Sequence, residues 1–198
     1  MSAPLFSSYS IRQRSKINTV LIVRNWVFGL CCVLHMSFAN TLDEYTVKVA
    51  LVRNFAVFTQ WPESVFIHAH DTMNLCVLGD NVVQQAFSQL EDKLVAGRVL
   101  NVIDINKRLN LTRCHIIFIG SKDRVQLSQV HAAVSGKPIL TIDDMTGVST
   151  YTGIVNLQMD DGKMRLNINL DIARQSQLKI SSRLLKLAVI VSAKTGIE

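Results

Sequence analysis

The sequence predicts an α/β fold, a three-layer sandwich with a mainly parallel sheet and an antiparallel C-terminal hairpin at one edge. Two observations carry this prediction. Between residues 74 and 142, four short apolar runs alternate with helical or loop segments, which is typical of parallel strands covered on both faces. Between residues 153 and 170, two runs that alternate apolar and polar residues flank Asp161-Gly162, a strong hairpin signal.

The first 39 residues are typical of an export signal. Its basic residues come first and are Arg12, Arg14, Lys16 and Arg24. An apolar run at 26–34 and small residues ending at Ala39 follow, so we expect cleavage after Ala39. The alternative is an uncleaved anchor over residues 17–38, although polar residues interrupt that run. The sequence therefore predicts a signal peptide at 1–39 and a single domain at 40–198.

The net charge of +6 depends on this N-terminal segment. Removing residues 1–39 leaves 17 basic and 15 acidic residues. Such a balance lacks the excess of basic residues that nucleic-acid binding normally needs. We therefore expect no nucleic-acid partner.

The predicted domain begins with an amphipathic helix over residues 43–62. Apolar and aromatic residues recur at spacings of three and four, which places them on one face. The members of this face are Val47, Leu51, Asn54, Phe55, Phe58 and Trp61, widened by Tyr45, Val49, Val52 and Ala56. Pro62 should end the helix, because the residue before proline is disfavoured in the α region. Its opposite side, with Lys48 and Arg53, should be exposed, so reversing either charge should leave folding intact.

Strands and helices then alternate. The predicted strands are 74–78, 98–105, 114–119 and 139–142, and the predicted helices are 81–90 and 124–134. Residues 106–113 read as a loop or short helix. After the hairpin at 153–170, residues 171–177 read as a short helix. Ser181 or Ser182 should cap a final helix that carries Leu184, Leu185, Leu187, Ala188 and Val191.

Export leaves two cysteines, Cys76 and Cys114. An even pair in an oxidising compartment favours a disulfide, and the alternative is two buried thiols on neighbouring strands. If the two strands end level, the cysteines are offset by about 10 Å along the sheet, which is too far for a bridge. A bridge therefore requires staggered strands.

The sequence contains no convincing set of catalytic or metal-binding residues. The turns at Gly79 and Gly120 follow strands, but neither matches a phosphate-binding or dinucleotide-binding motif. Asp143 and Asp144 follow another strand, where α/β proteins often place ligand groups, although a solvated turn is the simpler expectation. We predict no enzyme, no cofactor and no metal. A small-ligand sensor that uses the strand ends near Gly79, Gly120 and Asp143 remains the alternative function.

The order of motifs resembles the YfiR-like periplasmic regulators. The matching strings are Lys48-Val49-Ala50, Asn54-Phe55-Ala56, Trp61-Pro62, Leu75-Cys76-Val77-Leu78-Gly79, Cys114-His115-Ile116-Ile117-Phe118-Ile119-Gly120, Ile139-Leu140-Thr141-Ile142, Gly153-Ile154-Val155-Asn156-Leu157, Asn167-Ile168-Asn169, Ala173-Arg174 and Lys179-Ile180-Ser181-Ser182-Arg183-Leu184-Leu185-Lys186-Leu187-Ala188. The resemblance covers roughly residues 43–191. Two departures are Thr152, where a second glycine is more usual, and residues 175–178.

The resemblance implies a periplasmic negative regulator with an α/β fold. Such proteins bind the periplasmic sensor part of an inner-membrane diguanylate cyclase and restrain cyclic di-GMP synthesis, which otherwise favours biofilm. An OmpA-like outer-membrane lipoprotein can sequester the regulator. The family's cysteine pair maps onto Cys76 and Cys114, and a redox-sensitive bridge would link repression to the periplasmic oxidation state.

A partner surface and a homodimer are further expectations. The candidate partner-binding residues are basic and are Lys48, Arg53, Arg174, Lys179, Arg183 and Lys186. A solvated basic face is the alternative interpretation of the last four.

Overall fold

A computed structural model describes residues 39–68, 71–107, 110–120, 124–144, 152–160 and 162–192. The predicted signal peptide lies outside these residues, apart from Ala39. Within the described ranges, no helix is long and apolar enough to cross a bilayer.

The first helix, α1 (Ala39–Phe58), begins earlier and ends earlier than predicted. Its buried stripe contains Lys48, Val49, Val52, Phe55 and Ala56. The prediction that Val47 and Asn54 belong to the core face was wrong, because the stripe is rotated by one position and both residues are exposed. After Phe58 the chain forms a two-residue strand, β1 (Thr59–Gln60), before Trp61 and Pro62. β1 pairs with a later segment, so hydrogen bonds outside the helix satisfy this backbone.

The central sheet has eight strands in the order β10-β8-β7-β6-β5-β2-β4-β3. The strands are β2 (Met73–Leu78), β3 (Leu94–Val95), β4 (Arg98–Asp104), β5 (Ile116–Ile119), β6 (Leu140–Asp144), β7 (Val155–Asp160), β8 (Lys163–Asn169) and β10 (Val189–Val191). Strands β4, β2, β5, β6 and β7 run parallel, as short apolar runs covered on both faces predict. The predicted fold class is confirmed.

Side-chain alternation along the parallel strands divides the core into two clusters. Leu75 and Val77 point to the layer that contains α1 and α2 (Asn81–Ser88). Cys76 and Leu78 point to the opposite layer, which contains α3 (Arg124–Val134). The alternation is expected because successive strand side chains face opposite sides of a sheet.

The C-terminal part contains the predicted hairpin and two short strands, β9 (Lys179–Ile180) and β10, that the apolar pattern did not predict. β7 and β8 pair antiparallel up to Asp160 opposite Lys163, and Gly162 adopts the positive φ (+72°) that such a turn needs. After β8 come α4 (Leu170–Gln175), β9 (Lys179–Ile180) and α5 (Ser182–Leu185). Ser181 caps α5 as expected, since its hydroxyl accepts a hydrogen bond from the Arg183 amide.

The prediction that the final helix continues to Val191 was wrong. Residues 189–191 form β10, which pairs parallel with β8 and extends the sheet beyond the hairpin. The sequence there is Val-Ile-Val, and β-branched residues favour strands over helices. The apolar pattern of a helix and that of a short strand are difficult to separate over so few residues.

Cys76 and Cys114 form a disulfide with their Cα atoms 5.7 Å apart. The expected 10 Å offset assumed that Cys114 lies on a strand. Instead it precedes β5 in a turn, where its amide donates to the Leu111 carbonyl at 3.3 Å. This turn brings Cys114 back beside Cys76 on the α3 side of the sheet.

The bridge should stabilise the fold by about 3–4 kcal/mol, because it closes a long loop in the unfolded chain. We expect urea unfolding to show this loss when the wild-type protein is reduced, and a loss at least as large in the Cys76→Ala/Cys114→Ala variant. The reduced wild type is the matched control, since it keeps both side chains and loses only the bond. Equal urea midpoints for oxidised and reduced protein, or alkylation of both cysteines under denaturing, non-reducing conditions, would contradict the account.

Candidate functional site

The carboxyl end of β6 carries two buried carboxylates that point in opposite directions. Asp143 is 1% exposed and lies on the α3 side, whereas the side chain of Asp144 lies on the α1 side and is 8% exposed. The expectation of a solvated turn at these two residues was therefore wrong. Each carboxylate has a basic partner on the helix that covers its face.

Asp144 binds Lys48 of α1. The Lys48 Nζ atom lies 2.6 Å from Asp144 Oδ2, and it also forms an ion pair with Glu44 one helical turn earlier. The same ammonium group lies 4.6 Å from the centroid of the Tyr45 ring. Lys48 is only 1% exposed, so its charge depends on these contacts rather than on water.

Burial shifts the titration of this cluster. Burial raises the pKa of Asp144 above its ordinary value, while the hydrogen bond and charge of Lys48 oppose that rise. Burial, followed by the negative charge of Asp144, raises the pKa of the Tyr45 hydroxyl. Tyr45 therefore remains protonated and donates a long hydrogen bond to Asp144 at 3.5 Å.

The placement of Lys48 corrects two expectations. Lys48 is not on the exposed side of α1, so it cannot form part of a partner-binding surface in this fold. Reversing its charge would place a carboxylate against Glu44 and Asp144, and it would not leave folding intact. The sequence carried a signal for this position, because Lys48 lies between Tyr45 and Val52 on the buried stripe and four residues after Glu44.

Asp143 contacts His131 of α3. The His131 Nε2 atom lies 3.0 Å and 3.1 Å from the two carboxylate oxygens, and Thr152 donates to the same carboxylate at 3.5 Å. The chain passes directly over this group at Gly153, where an added Cβ would lie 2.5 Å from Asp143 Oδ2. Asp143 therefore joins α3 and the start of β7 to the sheet.

The glycine turns named as candidate ligand positions are filled by the protein itself. A Cβ at Gly79 would lie 2.8 Å from the Val83 side chain, and one at Gly120 would lie 3.2 Å from it. The Asp80 carboxylate accepts hydrogen bonds from the Val82 and Val83 amides at 3.1 Å. An anion would have to compete with this carboxylate for the α2 N-terminus. Residues 121–123 and 145–150, which follow two of the strand ends, lie outside the described residues.

The other candidate partner-binding residues are exposed. They are Arg53 on α1, Arg174 on α4, Lys179 on β9, Arg183 on α5 and Lys186 after α5. Gln60 pairs with Lys179 across β1 and β9, and the Ser181 amide donates to the Phe58 carbonyl at 2.9 Å. These contacts bring the segment 170–186 against the end of α1. We call the five exposed residues the basic surface.

Most of the basic surface makes no ion pair with the described part of the chain. Arg174 contacts Asp171 at 3.2 Å, and both side chains are well exposed. An exposed pair of this kind contributes little to stability. Substitutions on the basic surface should therefore report on binding more than on folding. Partner binding there stays a prediction.

No three His, Cys, Asp or Glu side chains among the described residues are arranged to hold a metal ion. The buried carboxylates are used in ion pairs and hydrogen bonds that join helices to the sheet. What this arrangement can do chemically is to hold the two helical layers in place.

Replacing Lys48 with methionine should lower the free energy of unfolding by about 3–5 kcal/mol at neutral pH, because it leaves Asp144 buried without its cation. In this variant the pKa of Asp144 in the folded state lies still further above its pKa in the unfolded state. The loss of stability therefore grows as pH rises from the unfolded-state pKa to the folded-state pKa, and it is smaller near pH 4. Urea unfolding of the wild type and the variant, from about pH 4 to neutral pH, measures this difference in the free energy of unfolding.

The Lys48→Met/Asp144→Asn double variant is the matched control. Removing both charges should recover part of the stability at neutral pH and flatten the pH dependence. If the single and double variants lose the same free energy at every pH, Lys48 and Asp144 do not interact as described.

Comparison with known proteins identifies a family for this chain. No curated protein matches the chain. The sequence model of a family described as YfiR/HmsC-like matches residues 45–189. The match begins at Tyr45 in α1 and ends at Val189 in β10, so it includes both the disulfide and the end of β6. The chain therefore belongs to the YfiR/HmsC-like family.

Proposed function

We propose that the protein is a periplasmic negative regulator that binds the periplasmic part of an inner-membrane diguanylate cyclase and restrains cyclic di-GMP synthesis. The observation that carries this proposal is the family match over residues 45–189, because YfiR-like proteins are periplasmic regulators of cyclic di-GMP signalling. The match includes every residue of the two core clusters.

The site chemistry supports a binding role rather than catalysis. Among the described residues, the carboxyl edge of the sheet, where α/β enzymes usually place reacting groups, is occupied by Val83, by the Asp80 cap and by the two carboxylates of β6. These groups stabilise the fold through contacts with one another. Regulation by binding needs a firm surface and no reacting group, which fits this arrangement.

The predicted signal peptide and the disulfide support a periplasmic location. A bridge between Cys76 and Cys114 persists in an oxidising compartment and is rare in the cytosol. Cleavage after Ala39 would leave α1 at the start of the exported chain.

We further propose that the basic surface contacts the cyclase. It lies where α1, β9 and α5 meet, and Lys179, Arg183 and Lys186 are exposed. An OmpA-like outer-membrane lipoprotein that sequesters the regulator would compete with the cyclase for binding. The protein would also be able to associate with a second copy of itself as a homodimer. Charged groups on such a surface would speed encounter and select the partner.

Deleting the gene should raise cellular cyclic di-GMP only in a strain that contains the cognate cyclase. The cyclase is identified as the one whose removal cancels the rise. Nucleotide extraction and mass spectrometry measure the effect. An unchanged level in the strain with every membrane diguanylate cyclase intact would contradict the proposal.

Reversing charges on the basic surface should weaken repression without unfolding the protein. We expect the Arg53→Glu/Lys179→Glu/Arg183→Glu variant to release the cyclase and to keep the wild-type urea midpoint. Lys137→Glu is the matched control, because Lys137 is exposed after α3 on the other side of the sheet. Full repression by the triple variant would remove this surface from the account.

A further inference from the structure

A cleft lies at the end of the sheet where β2 and β4 begin, opposite the carboxyl edge. Its volume is about 320 Å³, which is within the usual range for small-molecule sites. The residues that line it are Thr59, Trp61, Pro62, Glu63, Phe66, Met73, Ala96 and Arg98. None of these residues belongs to the basic surface or to the β6 carboxylate sites.

The local backbone fixes the walls of this cleft. Pro62 leads into a short 3₁₀-helix (Glu63–Val65) that places Glu63 and Phe66 on one wall. On the other wall, the turn from β3 to β4 holds Ala96 at a φ of +51° and Gly97 at +80°. Met73 at the start of β2 is 1% exposed and forms the buried base. These local backbone conformations fix the two walls.

The aromatic side of the cleft is held by ring contacts. Trp61 meets Phe66 edge to face, with the ring centroids 5.9 Å apart, and Phe66 packs on His115 at 4.6 Å. The guanidinium carbon of Arg98 lies 4.1 Å from the Phe66 centroid. Phe66 is thus engaged by its neighbours, and the partly exposed Trp61 is the aromatic surface left for a ligand.

The charged residues that line the cleft are Glu63 and Arg98, and the charge of Arg98 is balanced within the described part of the chain. Arg98 donates to the carbonyls of His68 and Asp71, at 3.0 Å and 3.2 Å. Asp71 supplies a balancing negative charge, since the backbone hydrogen bond from His68 lowers the pKa of its carboxyl. Burial lowers the pKa of His115, and its Nδ1 accepts a hydrogen bond from the Asn74 amide, so His115 is neutral. Glu63 remains as the uncompensated charge among these groups.

Two polar groups on the lining residues have no hydrogen-bond partner among the described residues. They are the Trp61 indole N–H and the Thr59 hydroxyl, and both atoms are buried. Buried polar groups are nearly always paired in native proteins. A small turn of these two side chains toward the cleft would let an oxygen atom from outside the chain pair with them.

We propose that this cleft binds a small organic cation, a quaternary ammonium group with an oxygen function nearby, such as that of choline. The ammonium group would lie against the face of Trp61 and close to the Glu63 carboxylate. The oxygen of the ligand would pair with the Thr59 and Trp61 donors once these side chains turn toward the cleft. Aromatic rings bind quaternary ammonium ions through their negative faces, and a neighbouring carboxylate adds attraction. This site does not depend on the cyclase interaction proposed above.

The Trp61 indole N–H signal in nuclear magnetic resonance spectra is the readout, and the Trp61→Phe variant assigns it. Titration of the full chain with choline chloride should move this signal saturably through the millimolar range. Sodium chloride at equal ionic strength is the control for salt. The uncharged isostere 3,3-dimethylbutan-1-ol should bind at least about tenfold more weakly, because it lacks the charge that the ring and Glu63 recognise.

The Glu63→Gln variant should weaken choline binding by about threefold or more. Asp171→Asn is the matched control, since Asp171 is an exposed acid outside the cleft, and it should bind choline as the wild type does. Glu63 is exposed, so its substitution should leave the urea midpoint unchanged.

A quaternary ammonium group can come from a free solute or from a lipid headgroup, and vesicles distinguish these sources. Sedimentation with phosphatidylcholine vesicles, lost in Glu63→Gln and absent with phosphatidylglycerol vesicles, would assign the headgroup. Choline binding without vesicle binding would assign the free solute. The proposal is overturned if choline gives no saturable shift, if the uncharged alcohol binds equally well, or if Glu63→Gln binds choline as tightly as the wild type.

Discussion

The buried ion pair between Lys48 and Asp144 is the interaction on which the arrangement of the first helix depends. Removing two charges from water costs several kcal/mol, and only a close partner offsets that cost. Here the 2.6 Å contact fixes the rotation of α1, because Lys48 can reach Asp144 only if it lies on the buried stripe. That rotation then decides which side of α1 is exposed and therefore where Arg53 points. A structural contact at the sheet thus sets the surface that a partner can reach.

The same end of β6 also positions the opposite layer. Asp143 holds His131 of α3, while Cys76 and Cys114 attach the segment before β5 to the same side of the sheet. Both helical layers are therefore joined to the sheet by specific polar or covalent contacts in addition to apolar packing. Breaking one of these contacts should loosen only the helical layer that it holds. We propose no chemistry at this edge of the sheet, but the proposed binding function requires both layers to stay in place.

The apolar patterns of this chain predicted the fold class well because each parallel strand is short, buried and bounded by turn residues. These patterns gave the wrong result at two places, where the structure depends on a contact with a residue far away in the sequence. Lys48 was assigned to the exposed side because a lysine is rarely fully buried, and only its partner Asp144, 96 residues later, explains the exception. The apolar spacing at residues 189–191 predicts a helix, because it does not show that the edge of β8 is free to pair. The cleft beside Trp61 was missed because its walls come from three separate segments.

The most direct test of the account is the interaction between purified regulator and the purified periplasmic part of its cognate cyclase, measured by isothermal titration calorimetry. We expect a saturable complex that weakens with added salt, because ions screen exposed charges on the binding surface. Charge reversal of Arg53, Lys179 and Arg183 should also weaken it, because it removes the charge complementarity with the partner. Lys137→Glu should bind as the wild type does. Absence of a complex with the cyclase whose activity the regulator restrains in cells would contradict the central claim.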